Sequence, residues 1–174
     1  EVVYYSVSDG FGGTASSTLT VNIQGFNDTP EGQSKTITAS EESTGNTFSL
    51  TAPTDAENDA MTITATGLPT LGVVKKANGD IVTNGSTLTQ AELLGLIYDA
   101  PADYNGTDDP GDFTYQVSDG NTSSTNTVNI VLTTVNDAPV ATSKTLTVAE
   151  EAGDTAIGIT VPTDVDGDAL TITV

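Results

Sequence analysis

Apolar and polar side chains alternate along residues 113–118, with Phe113, Tyr115 and Val117 on one face and Thr114, Gln116 and Ser118 on the other. Val128, Ile130 and Leu132 repeat the alternation further on. A period of two predicts half-buried strands, because successive side chains of an extended chain point to opposite faces. The intervening Ser-Asp-Gly-Asn-Thr-Ser, residues 118–123, has hairpin turn chemistry. Near the start of the chain, Val3, Tyr5 and Val7 alternate in the same way and are expected to face Leu19, Val21 and Ile23. The Thr-rich runs KTITA (35–39), NTFSLTA (46–52) and AMTITAT (60–66) predict further strands. VVKKANGDIV (73–82) predicts a hairpin turned at Asn78-Gly79.

One segment breaks the pattern. Thr89 is followed three residues later by Glu92, the spacing of a capping box, and Leu93, Leu94 and Ile97 follow at helical intervals. One short helical turn is expected near residues 90–95, ending at Gly95. Short strands with frequent turns elsewhere indicate an all-β chain. The fold class expected is an antiparallel Greek-key β-sandwich of about seven strands.

The chain also repeats itself. YSVSDG at Tyr5–Gly10 returns as YQVSDG at Tyr115–Gly120, and Asn27-Asp28-Thr29-Pro30 returns as Asn136-Asp137-Ala138-Pro139. SKTIT (34–38) returns as SKTLT (143–147), and Glu41-Glu42 as Glu150-Glu151. PTDAENDAMTIT (53–64) returns as PTDVDGDALTIT (162–173). The shift is 109 residues for all but the first pair, where it is 110, so one residue differs in the hairpin loop. Such a period divides the chain into the C-terminal part of one repeat (1–28), a complete repeat (29–137) and the N-terminal part of a third (138–174). The partial units are expected to expose apolar strand faces unless they pair with neighbouring repeats of a longer chain or with other copies.

Composition narrows the function. Of the 174 residues, 24 are Asp or Glu and 4 are Lys, giving a net charge of -20, and Arg, His, Cys and Trp are missing. The field has the wrong sign for nucleic acid, and an anionic membrane surface would repel the chain. No run is long and apolar enough to predict insertion into a bilayer. Lacking His and Cys, the chain has no His-based triad, thiol nucleophile or ordinary zinc site. Carboxylates and carbonyls remain, the ligands of hard cations.

The carboxylates are clustered. Asp55, Glu57 and Asp59 occupy five residues, and Asp164, Asp166 and Asp168 occupy the equivalent five. The spacing is not that of an EF-hand, which needs Gly at its sixth position and Glu at its twelfth; Gly167 is at the fourth, and the twelfth residue from Asp55 is Thr66. Solvated Asp/Gly turns are the plain alternative. Against it, the acids recur in phase with Asn-Asp and Glu-Glu. In a sandwich whose chain ends lie at opposite poles, these groups converge at the junctions between units.

The motifs YDAPADYNGTD (98–108), FTYQVSDG (113–120), NDAP (136–139) and TDVDGDALT (163–171) resemble the bacterial cadherin-like tandem repeats of large RTX- and biofilm-type adhesins. The resemblance covers essentially the whole chain and implies a cadherin- or immunoglobulin-like sandwich with Ca2+ bound between repeats. Carried over residue by residue, the second junction would use Glu42, or its neighbour Glu41, with Asp103, Asn136, Asp137, Asp164 and Asp166, and Asp168 as an extra ligand. The first junction would use Asn27, Asp28, Asp55 and Glu57, with Asp59 as an extra and Asp119 reaching in from the β-hairpin. Glu57 replaces the family's Asp, and the sequence around Asp103 lacks the cadherin tetrapeptide. The implied function is a calcium-rigidified extender of an extracellular or surface-anchored adhesin that projects a distal binding domain. A sandwich that itself grips a glycan or protein is the alternative. An enzyme is not expected, because the acids map to domain ends. Lys35 and Lys144 read as charged gatekeepers on an edge strand.

Overall fold

The alternating runs around residue 120 become the two strands on which the largest sheet is built. In this computed structural model, which describes residues 1–173, ten strands and one short helix follow in chain order. β1 (Val2–Ser8) and β2 (Thr14–Thr20) form a hairpin. Then come β3 (Lys35–Ser40), β4 (Asn46–Thr47), β5 (Thr62–Gly67), β6 (Val73–Lys75) and β7 (Thr87–Leu88). They are followed by α1 (Gln90–Leu94), β8 (Ile97–Asp99), β9 (Phe113–Ser118) and β10 (Ser123–Thr133). One sheet has the order β3-β10-β9-β5-β7 and another β4-β8-β6.

The two sheets enclose one core. Phe113, Tyr115 and Val117 of β9, Ile63 and Ala65 of β5, and Val128, Ile130 and Leu132 of β10 meet Val74, Tyr98, Phe48, Leu93 and Leu96 from the other side. The ring centroids of Phe48 and Phe113 lie 5.3 Å apart, and those of Phe113 and Tyr115 6.0 Å apart, spacings at which aromatic pairs attract beyond their burial. Both buried tyrosines satisfy their hydroxyls. Tyr115 Oη donates to Gln33 O (2.9 Å) and accepts from Gln33 N (2.9 Å), and Tyr98 Oη donates to Leu71 O (2.8 Å). Burial pushes the Tyr98 phenol up to about 12.

One pairing differs from the antiparallel expectation. β10 runs antiparallel to β9 but parallel to β3, in register from Val128 opposite Lys35 to Thr133 opposite Ser40. The reason is directional. A chain that enters at one pole and leaves at the other runs its first and last strands the same way, so when they become neighbours they pair in parallel.

Other expectations change in detail. In the β1–β2 hairpin Val3 does face Leu19, but Tyr5 faces Ser17 and Val7 faces Ala15; Val21 and Ile23 lie beyond β2. All fourteen residues of the hairpin's strands are exposed, Tyr4 to 81 %. The run 46–52 yields only the two residues of β4, because Ser49 adopts φ 48 between the buried Phe48 and Leu50. Residues 138–173 form no strand, only a bridge between Val140 and Thr163. That bridge repeats, 109 residues on, the bridge between Glu31 and Thr54. Lys35 does lie on an edge strand, β3, and its Nζ also donates to Ser49 O (3.0 Å), as Lys144 Nζ does to Gly158 O (2.7 Å).

α1 forms as the capping box requires. Glu92 N donates to Thr89 Oγ1 (3.2 Å) and Thr89 N to Glu92 Oε2 (2.8 Å), while Gly95 closes the C-terminus. Glu92 also accepts from Lys76 Nζ at 2.8 Å. The Lys76 ammonium and the Thr89 donors hold the Glu92 carboxyl at about 2, below its ordinary 4.5.

Two expectations follow for stability. Thr89→Ala should cost about 1 kcal/mol in urea unfolding, and Phe113→Ala about 3–5 kcal/mol through cavity formation. Because the folded pKa of Glu92 is depressed, its contribution is complete above about 4.5 and is lost as pH falls through about 2. Glu92→Gln should therefore be less stable than the parent at neutral pH, and the difference should shrink across that window. A constant difference on acidification would show that Glu92 acts through packing alone.

Candidate metal centre

Strand alternation carries a carboxylate into the interior. Ile37 and Ala39 of β3 face the core, and Glu41, two residues further, continues the same face with 2 % exposure. Its carboxylate accepts hydrogen bonds from the backbone N–H groups of Tyr104 and Val135, and its own N–H donates to Thr133 O at 3.0 Å. A buried carboxylate needs such partners. Here they tie the end of β3 to the 101–111 loop and to the chain leaving β10.

Two more carboxylates meet it. Oxygens of Glu41, Asp137 and Asp166 all lie within 4.8 Å of one another. Asp137 N donates to Asp166 Oδ2 (2.8 Å), which docks the acidic loop of residues 164–168 against the junction. Asp137 Oδ2 is buried and has no hydrogen-bond partner. Burial pushes the Asp137 carboxyl above the usual range, and the charges of Glu41, Asp103, Asp166 and Glu42 push it the same way. None of the four lysines reaches the group: Lys75 pairs with Asp99, Lys76 with Glu92, and Lys35 and Lys144 with the carbonyls already named. Clustered acids with an orphaned buried oxygen and no neighbouring ammonium form a donor set suited to a hard cation.

The remaining second-junction residues take peripheral places. Glu42 turns outward at φ 60 and is exposed, while its N–H donates to Pro101 O at 2.9 Å. Asp103 is exposed at φ 57. Both act on Asp137 through their charge. Asp164 Oδ1 accepts from Asp168 N (3.2 Å) and shapes the acidic turn. Asn136 and Asp168 border a cleft with Asp166, Asn105 and Thr134. Of the pair Glu41-Glu42, then, the first residue enters the tight group. The period of two through Ile37 and Ala39 was the signal that could have separated them.

The first junction repeats the local geometry. Asp28 N donates to Glu57 Oε2 (3.1 Å), matching Asp137 to Asp166. Asp55 Oδ1 accepts from Glu57 N (3.1 Å) and Asp59 N (2.9 Å), and its Oδ2 is buried without a partner. Asn58 holds φ 59 where the later copy has Gly167 at φ 77. The Asp59 side chain is exposed. Asp119 sits beside Asn27, but both its oxygens are engaged: Oδ1 accepts from Asn121 N (2.6 Å) and Thr122 N (2.7 Å), and Oδ2 from Asn27 Nδ2 (2.9 Å) and Thr122 Oγ1 (2.9 Å). The Thr122 and Asn27 bonds depress its carboxyl strongly. Asp119 thus fastens Asn27 to the β9–β10 turn.

Among the described residues no helix is long and apolar enough to cross a membrane. No curated protein matches the chain. Among solved structures, an endo-fucoidan hydrolase from glycoside hydrolase family 107 is 22 % identical, with 82 % of this chain and 21 % of that chain covered and a TM-score of 0.36. A variant of that hydrolase is 21 % identical, with coverages of 82 % and 22 % and a TM-score of 0.34. The chain spans about a fifth of the length of these structures, and likeness this weak carries no argument about activity. Residues 27–131 match the family described as Bacterial Ig domain, whose members occur in surface or extracellular proteins. With that match across most of the chain and a two-sheet sandwich beneath it, this chain belongs to the bacterial Ig domain family.

Proposed function

We propose that the chain is an extender module of a bacterial surface or secreted adhesin, cadherin-like within the Ig class, whose repeats are locked end to end by calcium. In this reading it serves adhesion or biofilm formation by holding a distal binding domain away from the cell, and its carboxylates hold a cation rather than catalyse a reaction. Its partners are the neighbouring repeats. The observation that carries the reading is the convergence of Glu41, Asp137 and Asp166 around the unpartnered Asp137 Oδ2.

Calcium takes six to eight oxygens at about 2.3–2.6 Å and tolerates irregular geometry. Glu41 would hold it from the sandwich, Asp137 from the linker and Asp166 from the next unit, with Asn136 and Asp168 beside them. Without a cation these like charges repel, and the linker is free to swing. With it, three segments of chain share one ligand. At a calcium level about a hundred times Kd, one site adds roughly 2.7 kcal/mol to the state that binds it.

Calorimetric titration of calcium into the chain should give Kd on the order of 10⁻⁴ to 10⁻³ M, the range of extracellular modules. Asp137→Asn with Asp166→Asn should abolish the heat at the second junction while circular dichroism stays that of the parent. Glu41→Gln should weaken binding by about tenfold or more, and Glu42→Gln by less than about threefold, since only Glu41 joins the tight group. Small-angle scattering should show a narrower spread of dimensions in calcium than in chelator. Identical scattering profiles and no binding heat would leave the clusters as solvated turns.

A further inference from the structure

Three Asn-Gly pairs occur, Asn78-Gly79, Asn84-Gly85 and Asn105-Gly106. In such a pair the glycine nitrogen is unshielded by a side chain and can attack the preceding amide. The fold restrains two of the three. Gly79 N donates to Lys76 O (2.9 Å) and Gly85 N to Ala65 O (2.8 Å), which engages the attacking nitrogen. The Asn78 amide is held as well, its Nδ2 donating to Asp80 Oδ2 at 2.8 Å.

Asn105 is arranged differently. Among the described residues Gly106 N–H makes no hydrogen bond, and Asn105 Nδ2, the leaving nitrogen, makes none. Asn105 Oδ1 accepts two, from Thr107 N (3.1 Å) and Thr107 Oγ1 (2.7 Å). Donors placed there draw electron density from Cγ and stabilise the oxyanion that forms on attack. Both residues are exposed, so water reaches the product.

We propose that Asn105 is a site of spontaneous deamidation that adds a carboxylate to the second junction as the protein ages. The Gly106 nitrogen bonds to Asn105 Cγ as it loses its proton. The Cγ–Nδ2 bond breaks, and ammonia leaves with that proton. Water then opens the five-membered imide at either carbonyl, giving aspartate or isoaspartate. The new charge falls in the cleft of about 270 Å³ bordered by Asn105, Thr134, Asn136, Asp166 and Asp168. Its effect on the junction rests on the cation reading above, whereas the chemistry does not.

The intact chain, aged in mildly alkaline heavy-oxygen water beside a urea-denatured sample, tests this by peptide mass mapping. Folding should slow labelling at Asn78 and Asn84 by about tenfold or more, and at Asn105 by less than about threefold. Equal protection at all three sites, or earlier labelling of Asn78 or Asn84, overturns the assignment. Calcium titration of Asn105→Asp and Asn105→Gln separates the second question. A Kd changed by about threefold or more in Asn105→Asp alone supports tuning of the junction by charge. A Kd equal to the parent's overturns that tuning. If the parent takes up no calcium, the cation reading fails while the mass result stands.

Discussion

The parallel pairing of β3 with β10 is the constraint from which the rest of the molecule follows. It places the first and last strands of the complete unit side by side and running the same way. β10 is eleven residues long and spans about 33 Å. Asn27 is fastened near its start through Asp119 and Thr122, and Asn136 follows soon after its end. The chain therefore enters at one pole and leaves at the other, and residues far apart in sequence meet at the exit. Had β10 returned antiparallel to β3, the linker would emerge beside its origin, and Glu41 and Asp166 could not meet.

At the exit pole, packing and electrostatics act on the same side chain. Glu41 holds two loops through backbone N–H groups and at the same time supplies a charge to the acidic group. Whatever neutralises that group also steadies the loops. The acidic loop of residues 164–168 docks through a hydrogen bond from the Asp137 N–H to the Asp166 carboxylate, while the carboxylates of Glu41, Asp137 and Asp166 remain mutually repulsive. One hydrogen bond is set there against the repulsion of three carboxylates, so the group is left electrostatically unsatisfied.

The local devices recur wherever the sequence recurs. The bridges Glu31–Thr54 and Val140–Thr163, and the tethers from Lys35 to Ser49 and from Lys144 to Gly158, appear in both copies. So does the bond from the linker aspartate to the second acid of the loop. These contacts span at most a few tens of residues and need no finished core. The strands are another matter. Lys35–Ser40 is a strand beside β10, whereas the equivalent residues 144–149 form none, because a strand needs a partner to receive its backbone groups.

The sequence by itself determined the 109-residue period, the alternation of β9 and β10, and the capping box at Thr89 and Glu92. The period is read from motifs that recur along the chain; the alternation and the capping box are properties of residue type at short spacing, where side-chain direction and turn chemistry act without help from distant chain. Only the tertiary structure decided that Glu41 rather than Glu42 enters the acidic group, that Asp119 is occupied by hydrogen bonds, and that β3 pairs in parallel. Those outcomes depend on which backbone N–H groups and which neighbouring strand arrive from far along the chain. No local pattern specifies that arrival; closing the core around Phe113, Tyr115 and Val117 does.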